Sequence, residues 1–414
     1  MNPIAKFALL AVVFVDLIGQ GLVFPIINEL VMAPQLNFLP VSSTEATRHF
    51  DYGLVIGIFF LCWFFGGVYV AKLSDTIGRK KAIMICLLGA LVGYMITIAA
   101  LFADSLWLLI LGRGITGFTA GNQPIAQAAM IDASRSDEEK ARNMGYIVTG
   151  ISAGLVGGPI IGGLLSDPAI LGSFASIKMP FYGALFLVFV TILLVQFTYK
   201  DLHPPKKKLE IRPLEVFTQL VRIREKPVVM RLYWVFLSFM SANVTFYIFM
   251  DNYLSSRFQI GLFGTSMAMM VLGIALASSS TFLVTPVLNR FGKLPVIVTV
   301  VCTMAVSSLL FIVSPAPAFC YLFIATFYFG FGIAYPALLG LFSASVPDDE
   351  QGWVMGITTA AFTLAAGVFS LLGGLLMAVD IRTPFYICVA AALLALVLIR
   401  ATWRNGDIRA LAGS

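Results

Sequence analysis

The chain has 414 residues, of which 59% are hydrophobic and only 12% charged, and its mean hydropathy is +0.93. A soluble domain is about a quarter charged, so this composition excludes an ordinary soluble protein and describes a chain that crosses the lipid bilayer many times. The net charge of +6 is explained by where the basic residues fall, and nucleic-acid binding is not expected from it.

A span needs about 20 apolar residues, and twelve stretches qualify. Span one covers Ile4 to Val31, and no cleavable signal peptide is expected ahead of it. Spans two to six are read at Tyr52–Ala71, Ala82–Phe102, Leu106–Ile131, Asn143–Leu165 and Pro180–Tyr199. A polar segment follows, with Pro204-Pro205 and Lys206-Lys207-Lys208. Within it Leu214, Phe217 and Val221 share one helical face, which predicts a short helix lying on the membrane surface. Spans seven to twelve are read at Leu232–Tyr253, Phe263–Leu288, Leu294–Ser314, Ala318–Ser345, Trp353–Val379 and Pro384–Arg400. This divides the chain into residues 1–199, a cytoplasmic linker at 200–230, and residues 231–414.

Charge sets the orientation. With both termini in the cytoplasm, the outer loops hold only Arg48, Lys178, Arg257 and Arg382, and Arg113 lies within a span. Nearly all the remaining basic residues then lie on the cytoplasmic side, as the positive-inside rule requires. Five cysteines (Cys62, Cys86, Cys302, Cys320 and Cys388) sit in or beside spans without a CxxC pair, and the two histidines, His49 and His203, lie in loops. No metal site and no cofactor is expected.

The two halves carry echoes of each other. Leu73-Ser-Asp75-Thr-Ile-Gly78-Arg79 is matched by Val287-Leu-Asn289-Arg-Phe-Gly292-Lys293. Asp137-Glu-Glu139 before Met144-Gly145 is matched by Asp348-Asp-Glu350 before Met355-Gly356. Two similar six-span halves are the parallel repeat of an alternating-access transporter.

The densest motif is Gly145 to Gly163. Gly154, Gly158 and Gly162 fall four apart and form a smooth stripe against which another helix can pack closely. Pro159 removes an amide and predicts a bend. Between spans two and three, Gly78 supplies the positive φ of a tight turn. Asp75 can accept helix-end amides, and Arg79 can pair with a carboxylate. In span four, Arg113 would cost roughly 2.5–3.5 kcal/mol in lipid, so it must face the bundle interior. In span one, Asp16 is a carboxyl set between burial and a nearby cation, the influences that let a group titrate near neutral pH.

These motifs resemble those of the major facilitator superfamily over nearly the whole chain. The spacing of Gly145, Gly154, Gly158, Pro159, Gly162 and Gly163 resembles the family's fifth-helix antiporter motif, and Ala71 to Lys81 resembles its signature loop with Ala71 in place of a glycine. Arg113 with Gly117 resembles its span-four RxxxG motif, and Asp16 to Pro25 resembles span one of tetracycline-type exporters, with Asn28 where a second proline is usual. The resemblance implies an all-α membrane protein with twelve transmembrane helices in two six-helix pseudo-symmetric bundles, usually a monomer. It implies a drug:proton antiporter in which Asp16 and Arg113 couple to protons. It also implies a cytoplasmic latch in which Asp75 docks near span eleven and Arg79 pairs with Asp132.

Polar residues on apolar helices sketch the cavity for a small-molecule substrate: Gln20, Asn122, Gln123 and Gln127 in the first half, and Asn243, Tyr247, Asp251 and Tyr335 in the second. Asn243, Tyr247 and Asp251 recur every four residues and share a face. Asp251 lies nearer the outer end, where it is read either as a cavity residue or as a hydrated one. Uptake or efflux of a polar metabolite or a siderophore is the alternative to drug efflux. An enzyme is not expected, because no nucleophile elbow, metal cluster or phosphate loop occurs.

Overall fold

A computed structural model describes residues 3–134, 136–166, 168–201, 215–347, 350–403 and 406–412. Among them the chain is helical, with no strand. In order the helices are α1 (Pro3–Met32), α2 (Glu45–Ile77), α3 (Arg79–Ala103), α4 (Leu106–Phe118), α5 (Asn122–Asp132), α6 (Asp137–Ser166), α7 (Pro168–Leu171), α8 (Met179–Thr198) and α9 (Glu215–Val221). Then come α10 (Pro227–Phe258), α11 (Leu262–Ser278), α12 (Val284–Phe291), α13 (Lys293–Val313), α14 (Pro317–Ala344), α15 (Gln351–Met377), α16 (Thr383–Thr402) and α17 (Gly406–Ala412). Local signals set several starts. Thr44 accepts from the Thr47 amide ahead of α2, and Ser105 accepts from Leu108 ahead of α4. Pro180, Pro227, Pro317 and Pro384 occupy the first turns of α8, α10, α14 and α16, where a missing amide costs nothing.

Eleven helices among the described residues are long and apolar enough to cross a membrane. The span expected over Leu106–Ile131 is instead two shorter helices, α4 and α5, separated at Thr119-Ala120-Gly121. Pro124, which has no amide to donate to the Ala120 carbonyl, sits in the first turn of α5, where a proline is well tolerated. Pro336 lies inside α14, which runs through it unbroken. The span over 262–291 has a π-helical stretch at Ser279–Leu283 between α11 and α12. Large apolar side chains such as Trp107, Phe186, Phe197 and Phe282 are exposed, the surface expected where lipid is the solvent.

Residues 1–212 with 260–270 form one compact unit, and residues 213–259 with 271–414 form a second. Within the first, α1 packs on α5, α6 and α8, and α4 on α2 and α3. Within the second, α10 packs on α14, α15 and α16, and α13 on α14 and α16. The helix pairs recur at equivalent places in the two halves.

Other details recur too. Gly78 and Gly292, at the equivalent turns, have φ of 98° and 76°. Lys6, at the foot of α1, donates to Glu139 of α6 at 3.0 Å and to Asn143 at 3.0 Å. Lys226, at the foot of α10, donates to Glu350, just before α15, at 2.7 Å. Each half thus ties the foot of its first helix to the foot of its fifth. In the second half the tie also holds the linker. Arg222 donates to Glu350 at 2.6 Å and lies 4.7 Å from the Trp353 ring, whose indole N–H donates to the Gln219 carbonyl at 3.2 Å. Phe217 and Val221 of the short helix α9 are exposed while Val216 is buried. Pro204, Pro205, Lys206 to Lys208 and Leu214 lie outside the described residues.

The hydrogen bond from Lys226, reinforced by Arg222, holds the Glu350 carboxyl below the usual glutamate value. A carboxyl depressed in the folded state stabilises above its unfolded value and loses that contribution as pH falls through the folded one. The linker clamp is therefore complete at neutral pH and opens only in acid, below the ordinary glutamate value. Glu350→Gln should speed amide hydrogen exchange in Glu215–Val221 at pH 7, and the unmodified protein should match it only in acid. Equal exchange at pH 7 would remove Glu350 from the clamp.

Candidate functional site

Asp16 lies midway along α1, within the first unit. Its carboxyl lies beside the Gln123 backbone amide and the Asn122 side chain. Both donors sit in the first turn of α5, which exists because span four is broken. A helix start carries unpaired amides and a partial positive charge, so α5 presents an anion-binding end to a carboxylate from another helix. Asn122 is 2% exposed, whereas Gln123 and Gln127 are partly exposed along the same short helix. Gln20 lies on α1, and its side chain is outside the described residues.

Arg113 of α4 is buried, with its guanidinium 4.2 Å from the centre of the Phe59 ring. Tyr94 of α3 lies within electrostatic reach of both Arg113 and Asp16. Its hydroxyl occupies the space that a Cβ on Gly19 would fill, at 2.2 Å. Gly19 of α1 therefore stays bare to admit Tyr94. Sequence reasoning passed over Tyr94, whose one signal is a buried hydroxyl in mid-span.

The antiporter-motif glycines decide how α6 meets α1. A Cβ on Gly154 would lie 2.8 Å from the Phe14 carbonyl oxygen, 2.8 Å from Leu17 Cβ and 3.2 Å from the Ile18 amide nitrogen. Those residues flank Asp16, so the closest approach of α6 is at the carboxyl-bearing turn. Gly158 and Pro159 are buried, and α6 is continuous through the proline. Gly162 faces Leu22 at ordinary contact distance, and Gly163 faces Ser266. Gly145 has nothing within 4 Å.

At the cytoplasmic end of the same unit, Arg79 gathers three partners. It donates to Asp75 at 2.7 Å, to Ser74 at 2.6 Å and to Asp132 at 3.2 Å. Asp132 is the last residue of α5. One short helix therefore has the proton-site candidate at its start and the signature loop at its end. Asp201, which the sequence did not single out, accepts from the Lys80 amide at 2.8 Å and so caps α3. It fills the space beside Gly78, where a Cβ would meet its carboxyl oxygen at 2.4 Å. The Lys80 ammonium donates to the Gln196 carbonyl at 2.7 Å. Burial, with the Asp201 charge beside it, pushes the Tyr199 hydroxyl above its ordinary value.

In the second unit, Asn243, Tyr247 and Asp251 are all buried along α10. Asp251 is 0% exposed, so the hydrated reading of it does not hold. Tyr335 of α14 stacks on Phe331 with ring centres 5.4 Å apart, and Phe331 stacks on Phe239 at 5.2 Å. Phe246 stacks on Phe327 at 4.3 Å, while Phe329 is exposed. The described residues hold no group of three or more His, Cys, Asp or Glu able to bind a metal ion.

The family model described as Major Facilitator Superfamily matches residues 9–367 and 279–407. The chain is similar to the "Tetracycline resistance protein, class C" of Escherichia coli, 27% identical over 87% of this chain and 87% of that protein. It is also similar to the "Quinolone resistance protein NorA" of Staphylococcus aureus, 26% identical over 95% of each chain. Among solved structures it resembles a D-xylose-proton symporter, with a TM-score of 0.74, 13% identity, and 97% of this chain and 98% of that one covered. At that identity the likeness concerns the fold.

Substituting the stripe separates the packing role of each glycine. Gly154→Ala should destabilise the protein by about 1–3 kcal/mol, the usual range for overpacking against backbone. Gly145→Ala should be neutral, because the added methyl meets nothing. Thermal unfolding in detergent checks the order, and equal loss from both would refute the α1–α6 contact as the reason for the motif.

Proposed function

Because the chain belongs to the major facilitator superfamily, we propose that it is a proton-coupled efflux antiporter for small drug-like amphiphiles, working by alternating access. It is a transporter rather than an enzyme, a multi-pass protein of the cell's inner membrane, monomeric, with both termini in the cytoplasm. Relatives named for tetracycline and quinolone resistance support that cargo class. The observation that carries the mechanism is the placement of the Asp16 carboxyl beside the start of α5.

In the proposed cycle Asp16 is the proton site and Arg113 tunes it through the shared environment of Tyr94. The anionic carboxylate accepts charge-assisted bonds from α5, about twice as strong as neutral ones. A proton removes that charge and loosens the tie between α1 and α5. An eleven-residue helix spans about 16 Å, so the change at Asn122 is delivered to Asp132. There Arg79 chooses among Asp132, Asp75 and Ser74, and the cytoplasmic latch of Asp75, Gly78, Arg79 and Asp132 responds. Gln20, Asn122, Gln123 and Gln127 in one half, and Asn243, Tyr247 and Tyr335 in the other, are the proposed cargo contacts. The stripe of Gly145, Gly154, Gly158, Pro159, Gly162 and Gly163 keeps α6 against α1 as the carboxyl changes state.

Asp16→Asn keeps the shape and removes the proton. Reconstituted in proteoliposomes with an imposed pH gradient, it should lose gradient-driven transport of tetracycline and of a quinolone while inserting normally. Undiminished gradient-driven flux in that variant would overturn the assignment of Asp16.

A further inference from the structure

A second carboxyl is placed where an anion has no support. Asp251 of α10 is 0% exposed, and among the described residues neither of its oxygens meets a hydrogen-bond donor. Its neighbourhood is polar nonetheless. The Asn252 side-chain nitrogen and the Tyr328 hydroxyl are also buried without a hydrogen-bond partner. Tyr321 and Tyr328 of α14 lie within electrostatic reach of the carboxyl, and Tyr247 stands one turn away on α10. Buried charges are normally paired or neutralised, and among the described residues no donor meets this carboxyl.

The titratable groups around it confirm the lack of a cation. On α10 itself the nearest is Arg257, whose guanidinium donates to the Tyr253 hydroxyl and the Ile312 carbonyl. From α14 come Tyr321 and Tyr328, and from α16 Cys388 and the exposed Tyr386, with Arg382 just before that helix acting on Tyr253. From α13 come only Lys293, bound to the Leu411 carbonyl, and the exposed Cys302, while α15 holds no titratable residue.

We propose that Asp251 is a second proton-binding site, carried by the second unit, that holds its proton while buried and releases it only when that end of α10 is opened to water or donors. The ligand is a proton, and the gate is the burial itself. Both units then carry an acid on their first helix, but under opposite conditions. Asp16 has donors waiting for its anion. Asp251 has none and favours the neutral carboxyl. The inference is framed within the proposed proton-coupled cycle, but its test needs neither cargo nor a working Asp16.

Infrared difference spectroscopy on the purified full chain, stepped from neutral pH to an alkalinity that drives that end of α10 open, reads protonated carboxyls by their C=O stretch. The unmodified protein and Asp16→Asn should both show a component that is missing in Asp251→Asn, and the protons released per molecule should fall by one in that variant. Asp251→Glu keeps a carboxyl there and should restore the component at a shifted frequency. An identical band and proton count in the unmodified protein and Asp251→Asn would overturn the proposal, as would an unshifted band in Asp251→Glu. Loss of a component in Asp16→Asn instead bears on the first site alone.

Discussion

The first unit is built around a carboxylate placed at the broken end of another helix. A continuous span four would have satisfied its own amides, and Asp16 would face a closed backbone ladder. With the restart at Asn122, the first-turn amides of α5 are free to be used, and Asp16 lies beside the Gln123 amide and the Asn122 side chain. Irregular backbone at membrane depth is tolerated only where protein or a cavity satisfies it. Here the satisfying group is itself titratable. In the proposed cycle the protonation of Asp16 and the attachment of α5 are one equilibrium, a proton on the acid loosening that attachment.

That equilibrium matters only if α1 cannot simply drift away when its bond weakens. Gly154 supplies the restraint. A Cβ there would come within 2.8 Å of the Phe14 carbonyl and of Leu17, closer than a real side chain allows, so α6 packs on α1 on either side of Asp16. Tyr94 fills the space over Gly19. Helix association in lipid depends on such close packing of small residues, not on a hydrophobic drive. The glycines thus hold α6 to α1, and α5 is the third helix packed at this site. Its far end already contacts Arg79 through Asp132.

Much of this was legible in the sequence, for identifiable reasons. Hydropathy located the spans because each needs a long apolar run. Gly78 announced its turn because few residues tolerate a positive φ. The four-residue glycine spacing announced a close helix contact, although not which helix would fill it. The break in span four was not legible, since Pro124 reads as a bend, and Pro336 in a similar setting leaves α14 whole. Asp201 could not be found from its neighbours in sequence, because its partner is the amide of Lys80, a backbone group that every residue carries. Asp251, near a span end, was open between a cavity residue and a hydrated one. Only packing reveals that α14 and α16 close over α10 there.

The two units share their turns and their lysine–glutamate ties but not the handling of their acids, and that difference carries a mechanical consequence. Where donors are fixed in advance, as at Asp16, the anion is accommodated without any rearrangement. Where none are present, as at Asp251, the anion demands that the surroundings move. Repeats that began alike would bind and release protons together at equivalent positions. In the proposed cycle the break in span four of one unit, with span ten continuous in the other, separates the two events. One acid can then lose its proton with its helices closed, whereas the other must wait for opening, and an exchanger needs such an ordering if protons are not to leak through without cargo.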